Sequence, residues 1–293
     1  MIRLNKVFII SILVSYGSTV FAQPDSLSLL YRKRQKTVII ASSVAYSASM
    51  VALASAWYSQ YDSQPFRFFN DAHEWKQMDK AGHTFSAFQL TAISSATWQW
   101  SGLSKQKSDR IGALTSFGIM SSIEILDGFS AGYGASVTDV IANAAGNGLY
   151  WGQQALWKET RIYPKISFHR THYAPLRPHT LGNGLAEEIL KDYNGQTYWL
   201  SVDMDKFTRF PKWLNLAVGY GAEGMIYAHD ISNLNAGYNP HRKLFVGVDF
   251  DLTAFKSRNK TLNTLIFIAN MVRLPAPALQ FSQGRAKGHW FYF

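Results

Sequence analysis

Long uncharged stretches dominate the amino-terminal half of the chain. Residues 37–57 carry no charged side chain, and three more stretches of helical length follow at about residues 80–99, 108–126 and 138–157. A helix of about 20 residues is long enough to cross the hydrocarbon core of a bilayer. The sequence therefore predicts an amino-terminal bundle of about four hydrophobic helices, which we place at residues 37–157.

The first of these stretches fits two structures. It follows directly on the basic residues 32–36, as a membrane span often follows a basic segment, but serines interrupt it. Small residues recur at every fourth position, for example at Ala41, Ala45 and Ser49. This spacing allows close helix packing in membranes and in water-soluble bundles alike. A membrane span and a buried bundle helix therefore both remain open.

The sequence changes in character after about residue 158. Short runs of β-branched and aromatic residues, separated by proline and glycine, predict strands at residues 165–169, 197–203, 214–221, 243–252, 278–282 and 287–293. Val246, Val248 and Phe250 alternate with small or acidic residues, which is the period of a half-buried strand. Residues 185–192 and 261–272 have the pattern of helices. The fold is thus predicted to be α+β, with a small mixed, mainly antiparallel β domain at residues 162–293.

Residues 1–22 have the composition of a signal peptide. Arg3 and Lys6 precede an apolar segment, and Ala22 ends the kind of small-residue motif that a signal peptidase cleaves. Cleavage would lower the formal net charge from +10 to +8, because it removes those two basic residues. We therefore expect an exported protein that is associated with a membrane of the cell envelope, on the periplasmic side of the inner membrane or in the outer membrane.

The charge of the exported chain points to a class of partner. A basic protein outside the cytoplasm suits membrane lipid or an anionic envelope polymer, and nucleic acid is not expected. The outer membrane is an alternative because the chain ends on Phe293 with another aromatic residue two positions earlier, as the last strand of an outer-membrane barrel often does. An aromatic edge strand that packs on the core explains the same residues.

Several kinds of site are excluded by composition. The sequence contains no cysteine, so we expect no disulfide, no thiolate metal site, no cysteine nucleophile and no lipid anchor attached to cysteine. It also contains no glycine-rich phosphate loop with Lys-Ser/Thr and no H-E-x-x-H. The remaining candidates for chemistry lie among the polar residues of the helical half.

These polar residues fall into three groups at helical spacings. Within each group the members are three or four residues apart and share one face of a helix. Ser136, three residues before Asp139, resembles the first residue of a capping box at the amino-terminal end of the helix predicted at about residues 138–157. If the groups converge, one imidazole lies near several carboxylates and an amide. The candidates are Asp79, His83, Glu124, Asp127, Asp139 and Asn143.

Three roles suit such a constellation, because burying these groups is costly unless each is paired. In the first, the side chains form hydrogen-bonded clasps between helices, with Lys80 or Arg110 supplying positive charge. In the second, they hold a polar headgroup or a divalent cation such as Zn²⁺ or Mn²⁺. In the third, His83 acts as an acid or base that a carboxylate orients. The candidate metal ligands are His83, Glu124, Asp127 and Asp139.

The same residues carry a family resemblance. The segment W-K-Q-M-D-K-A-G-H at residues 75–83, the acidic Glu124 and Asp127, and the segment A-S-V-T-D-V-I-A-N-A-A-G at residues 135–146 resemble the YfiM-type family of predicted periplasmic lipoproteins of unknown function. More distantly, this order of motifs resembles VanZ-like membrane proteins. The resemblance covers residues 75–154, and the longer chain looks like the larger members of Bacteroidetes-type bacteria.

The resemblance implies a location and a set of residues, but no reaction. Two departures from it are the missing cysteine of a lipoprotein and the sequence D-G-F-S at residues 127–130, where the VanZ-like pattern has a glutamine and an arginine-bearing turn. We predict a membrane-associated structural or envelope-component-binding protein. The alternative is an enzyme or transfer factor that acts on a lipid-linked or cell-wall substrate through the His/Asp/Glu cluster.

Overall fold

The computed structural model describes residues 26–59 and 61–293, so the signal-like residues 1–22 lie outside the described chain. Four long helices come first: α1 (Ser26–Leu53), which continues into a short π-helix (Ala54–Tyr58), α2 (Met78–Trp100), α3 (Lys105–Gly128) and α4 (Val137–Trp157). The strands are β1 (Ile162–Phe168), β2 (Gln196–Val202), β3 (Leu214–Glu223), β4 (His241–Phe250), β5 (Ala276–Ser282) and β6 (Arg285–Tyr292). Shorter helices between them are α5 (Pro178–Leu181), α6 (Leu185–Lys191), α7 (Asp230–Asn235) and α8 (Lys260–Ala269). The α+β class and all six predicted strands are confirmed.

The prediction of four hydrophobic helices is not confirmed. Within residues 26–59 and 61–293, only the segment Ser28–Leu53 forms a helix long and apolar enough to cross a membrane. This helix lies on the surface, since only 6% of its most apolar window is buried. α1 is therefore not a buried bundle helix, and the other three helices are more polar than their lengths suggested.

α2 is the centre of the bundle, packed between α3 and α4. The helices approach closely at glycines: a Cβ atom at Gly146 would lie 2.2 Å from the carbonyl oxygen of Thr84, and one at Gly112 would lie 2.8 Å from that of Thr91. Their backbones touch because these positions have no side chain. α1 runs along the outside of this bundle.

The bundle buries polar side chains and exposes apolar ones. The Thr91 hydroxyl donates to Asn147 at 2.7 Å, and both residues are buried. In contrast, Leu114, Ile141 and Leu156 on α3 and α4 are 67%, 62% and 77% exposed. Soluble proteins usually bury the larger apolar side chains and leave the polar ones in water.

The strands form one antiparallel sheet in the order β1-β2-β3-β4-β5-β6. An isolated parallel bridge joins Ile166 of β1 to Val272, beside the first strand. β6, which contains the aromatic carboxyl terminus, lies at the edge of the sheet and pairs with β5. The predicted antiparallel character is confirmed.

The alternation predicted for β4 is present, with its apolar residues on the outside. Val246 is 52% exposed, whereas Asp249 is fully buried. On the inner face, Lys165 Nζ lies 2.7 Å from Asp249 Oδ2, and the Ser201 hydroxyl donates to the same carboxylate at 2.6 Å. The inner face thus buries polar groups beside a hydrophobic core that includes Trp199, Phe245 and Tyr292, while the outer side of β4 is apolar.

A left-handed turn before α2 contacts the sheet. Trp75, Lys76 and Gln77 have φ angles of 48°, 53° and 63°, a conformation that costs about 1–2 kcal/mol for each residue other than glycine. Sheet residues hold this turn in place: Tyr220 donates to the carbonyl of Lys76, and Arg242 donates to the side chain of Gln77. The sheet therefore fixes the end of α2 that carries the candidate site.

Candidate functional site

Lys80, in the first turns of α2, is the centre of the candidate site. Its Nζ lies 2.6 Å from Asp139 Oδ1, 2.7 Å from Asp71 Oδ2 and 3.0 Å from Asp79 Oδ2. Asp139 belongs to α4 and Asp71 to the segment before α2, so one ammonium group joins three parts of the chain. We call the residues that converge here the Lys80 cluster: Asp71, Asp79, Lys80, His83, Glu124, Ser136, Asp139 and Asn143.

His83 lies beside this ammonium group, one turn further along α2. Its Nδ1 is 3.0 Å from Asn143 Oδ1, and because an amide oxygen only accepts, the ring donates this hydrogen bond. Its Nε2 lies 3.7 Å from Asp79 Oδ1 and 3.9 Å from Asp139 Oδ1. Glu124 Oε1 on α3 lies 3.7 Å from Nδ1. Carboxyl groups from three helices therefore face one imidazole, whose side chain is 13% exposed.

Ser136 caps α4, as predicted, since its hydroxyl oxygen accepts from the backbone N–H of Asp139 at 3.1 Å. The second half of the capping box is different. The backbone N–H of Ser136 donates to Glu124 Oε2 on α3 at 3.1 Å, where a capping box would use a residue of α4 itself. The Ser136 hydroxyl donates to Asp71 Oδ1 at 2.6 Å. The cap therefore ties α4 both to α3 and to the segment before α2.

Two residues of the site were not among the predicted candidates. Asp79 and His83 were predicted from their helical spacing within α2. Asp71 lies before this helix, so that spacing did not indicate it. Tyr193, just before β2, donates to Asp79 Oδ1 at 2.8 Å, and no local pattern links residues so far apart in sequence. Of the two predicted cations, Lys80 supplies the positive charge, while Arg110 is exposed on α3.

Asp127 does not converge with the other five candidates. It accepts a hydrogen bond at 2.7 Å from Tyr58, at the end of the π-helix that follows α1. Burial raises the pKa of Asp127 to about 7, against the lowering effect of this hydrogen bond. The contact links the end of α1 to α3 and leaves Asp127 outside the cluster.

Both cations of the cluster are stabilised by their surroundings. Burial lowers the pKa of His83, but the nearby carboxyl groups of Asp79, Asp139 and Glu124 outweigh burial and raise it above its ordinary value. Burial also lowers the pKa of Lys80, and the aspartates around it raise that pKa well above the usual range. The surroundings therefore stabilise the protonated form of both groups.

The four carboxyl groups separate into two pairs. Burial raises the pKa of Asp71 and of Asp79, but nearby positive charge outweighs burial and lowers both values. At Asp71 this charge is that of Lys80, and at Asp79 it is that of His83 and Lys80. Burial, with the charge of Asp79, raises the pKa of Asp139 to about 8, and burial raises the pKa of Glu124. The surroundings thus stabilise Asp71 and Asp79 as anions beside the two cations, whereas they shift Asp139 and Glu124 toward the protonated form.

Three residues of the cluster have the types and spacing of metal ligands. One ligand atom each of Asp79, His83 and Asp139 lies within 4.8 Å of the others, and these residue types bind Zn²⁺ or Mn²⁺. However, the Lys80 ammonium contacts both aspartates and repels a divalent cation in their midst. The geometry therefore suits an internal ion-pair network better than a metal centre.

A cavity of about 700 Å³ lies apart from the cluster, between the bundle and the sheet. Its lining includes Gln99 and Gln154 from the helices and Tyr163 and Asp203 from the β domain. No member of the Lys80 cluster lines it. The cluster is therefore not the polar wall of this cavity.

Comparison with known proteins gives one match. Residues 67–151 match the model of a family described as predicted periplasmic lipoprotein (DUF2279). The match covers α2, α3, most of α4 and the complete Lys80 cluster. It agrees with the expected family of periplasmic lipoproteins, but it does not confirm the YfiM-type and VanZ-like details. No curated protein and no solved structure matches the chain.

Proposed function

We propose that this chain is a membrane-anchored protein of the cell envelope with a structural or envelope-component-binding role. The exposed apolar helix α1 carries the proposal. Residues 37–57 are uncharged and follow a basic segment, and Ile40, Val44 and Val51 are 65%, 63% and 70% exposed. Transfer of such side chains from water into an apolar environment is favourable.

The outer surface of the bundle also supports a lipid environment. Residues 84–104, 111–123 and 140–157 of α2, α3 and α4 contain no charged side chain. Polar residues within them, such as Gln89, Asn147 and Gln153, are buried. Every ionisable member of the Lys80 cluster lies beyond the ends of these segments. A polar interior with an apolar exterior is what a bundle surrounded by lipid requires.

The matched family and the basic segment support the envelope as location. The family description is that of periplasmic lipoproteins, and residues 1–22 have the composition of a signal peptide. The basic residues 32–36 next to the apolar helix suit anionic lipid headgroups or another anionic envelope polymer. We therefore propose these as the partners of the chain.

The Lys80 cluster supports a structural role over a catalytic one. Its ammonium group and its imidazole contact side chains from α2, α3, α4 and the preceding segment, and Tyr193 closes it from the β domain. A general acid or base must come within hydrogen-bond distance of its substrate, whereas protein groups surround His83. An enzyme or transfer factor is thus the less supported alternative, and the cluster is proposed as a clasp that holds the bundle to the sheet.

The proposal is tested by the double substitution Val44→Lys/Val51→Lys in α1, where both residues are exposed. Each lysine near the centre of a span costs about 2.5–3.5 kcal/mol of insertion free energy. The unaltered chain should stay in the membrane pellet after alkaline carbonate, and the variant should shift toward the soluble fraction. Ile231→Lys/Leu234→Lys on α7, where both residues are exposed, is the matched control and should not shift. Release of the unaltered chain by carbonate would contradict the proposal.

A further inference from the structure

The outer face of the sheet contacts α2 at one end, where the ring of Tyr198 lies against that of Phe85, and next to this contact the face is apolar and uncovered. Leu200, Val218, Val246 and Leu279 are direct neighbours across β2, β3, β4 and β5. They are 41%, 51%, 52% and 42% exposed. They therefore form one continuous apolar row across four strands.

Adjacent rows extend this face. Leu216 lies opposite Val248, and Leu244 lies opposite Phe281; Leu216, Leu244 and Phe281 are 42%, 55% and 42% exposed. A shallow depression of about 570 Å³ on the same face extends to Trp290 of β6. None of the residues in these rows is charged, so the face has an apolar patch of the kind that marks an interaction surface.

The opposite face of the sheet holds the charged groups. Besides the Lys165–Asp249 pair, the Arg273 guanidinium lies 4.0 Å from the centre of the Trp199 ring and donates to the carbonyl of Tyr292 at 2.8 Å. An antiparallel sheet with one side in water normally turns its apolar side to the core. Here the inner face already holds a buried core that includes Trp199, Phe245 and Tyr292. The outer face is a second apolar face without such a core to cover it, which indicates that it does not look onto water.

We infer that this outer face rests on a lipid bilayer, in contact with the acyl chains just below the headgroups. The inference rests on the proposed membrane anchoring through α1. The side chain of Gln89 on α2 donates to the carbonyl of Pro164 on β1 at 2.7 Å, so the sheet is packed directly on the bundle. An anchor in the bundle therefore brings the sheet to the same membrane.

The rim of the face fits a bilayer. Trp290 and Phe291 are 82% and 75% exposed, and tryptophan in particular is enriched at the boundary between membrane and water. The edge of β6 fixes the depth, because its backbone groups need water or headgroups as partners. The sheet thus lies at the interface and does not cross the hydrocarbon core.

The absence of cysteine from the sequence makes a single introduced cysteine a unique labelling site. A nitrobenzoxadiazole label is placed at Val246→Cys on the sheet face, at Val44→Cys in α1 and, as the control, at Leu234→Cys on α7, where the residue is 56% exposed. Each full-length variant is reconstituted with vesicles of phosphatidylethanolamine and phosphatidylglycerol. Emission from the Val246→Cys label should shift to the blue and be quenched by nitroxide-bearing lipids, whereas emission from the Leu234→Cys label should do neither.

The outcomes separate this inference from the proposed function. Quenching at both Val246→Cys and Val44→Cys supports the inference. Quenching at Val44→Cys alone overturns the sheet contact and leaves the membrane anchor in place, while quenching at neither overturns both. The label at Val246→Cys could also shift to the blue without lipid, by an amount that grows with protein concentration. That result would show that a second copy of the chain covers the face, and it would overturn the inferred lipid contact. Leu279→Cys repeats the measurement if Val246→Cys fails to fold.

Discussion

Replacing Lys80 by methionine removes the ammonium group that joins three acidic side chains. The side chains of Lys80 and Asp139 are 15% and 6% exposed, so the acidic groups left behind stay largely out of water. Removing one partner of a buried ion pair costs about 3–5 kcal/mol. Asp79 keeps His83 at 3.7 Å and the hydrogen bond from Tyr193. We therefore expect the lower end of that range, about 3 kcal/mol of unfolding free energy at neutral pH.

The assay is denaturant unfolding in a mild detergent, followed by tryptophan fluorescence. Lys206→Met is the matched control, because Lys206 pairs with Glu159 at 3.4 Å and the two side chains are 35% and 40% exposed. A pair at the surface contributes at most about 1 kcal/mol. The double substitution Lys80→Met/Asp71→Asn should recover part of the loss, because it removes a carboxylate whose charge Lys80 had compensated at 2.7 Å.

The pH dependence separates the loss of charge from the loss of packing. Without Lys80, the remaining carboxyl groups become neutral by binding protons, so the loss should be smaller at about pH 5 than at about pH 8. A packing defect alone would cost the same at both values. An equal loss at both, or a loss no larger than that of Lys206→Met, would refute the reasoning.

Three further predictions concern packing and titration. Gly146→Ala should lower the unfolding free energy by about 1–3 kcal/mol, because the new methyl group meets the backbone of α2. Gly148→Ala, with no atom within 4 Å of its Cβ, should instead raise it by up to about 1 kcal/mol in the same denaturant assay. The melting temperature should fall as the pH rises from about 5 to about 8. The pKa values of Asp139 and His83 are raised in the folded state, so the folded protein binds a proton at each group more tightly than the unfolded chain does. The stability that this binding contributes is lost as the pH rises through the folded-state pKa values. Asp127→Asn removes a group with a pKa of about 7 and should make this fall shallower; an unchanged pH profile would contradict that role.

Patterns within single helices predicted much of the site. Asp79 and His83 share a helix face because they are one turn apart, and Ser136 caps α4 through a contact only three residues long. Such features depend on local spacing and were therefore visible in the sequence.

The remaining features depend on contacts between distant segments. Tyr193 reaches Asp79 from the β domain, and Asp127 turns away from the cluster because Tyr58 offers it a hydrogen bond. The alternation in β4 gives a period but does not say which side faces inward. The orientation of β4 places Asp249 beside Lys165 of β1, 2.7 Å away, and no pattern within either strand indicates that pairing.

The role of the Lys80 cluster is decided most directly by metal binding. The purified full-length protein is dialysed against Zn²⁺ or Mn²⁺ at neutral pH, its metal content is measured by mass spectrometry, and its melting temperature is compared with and without a chelator. We predict substoichiometric metal and an unchanged melting temperature, because the Lys80 ammonium already compensates Asp79 and Asp139. One tightly bound ion per chain that raises the melting temperature and is lost in His83→Ala would contradict the clasp and make the cluster a metal centre.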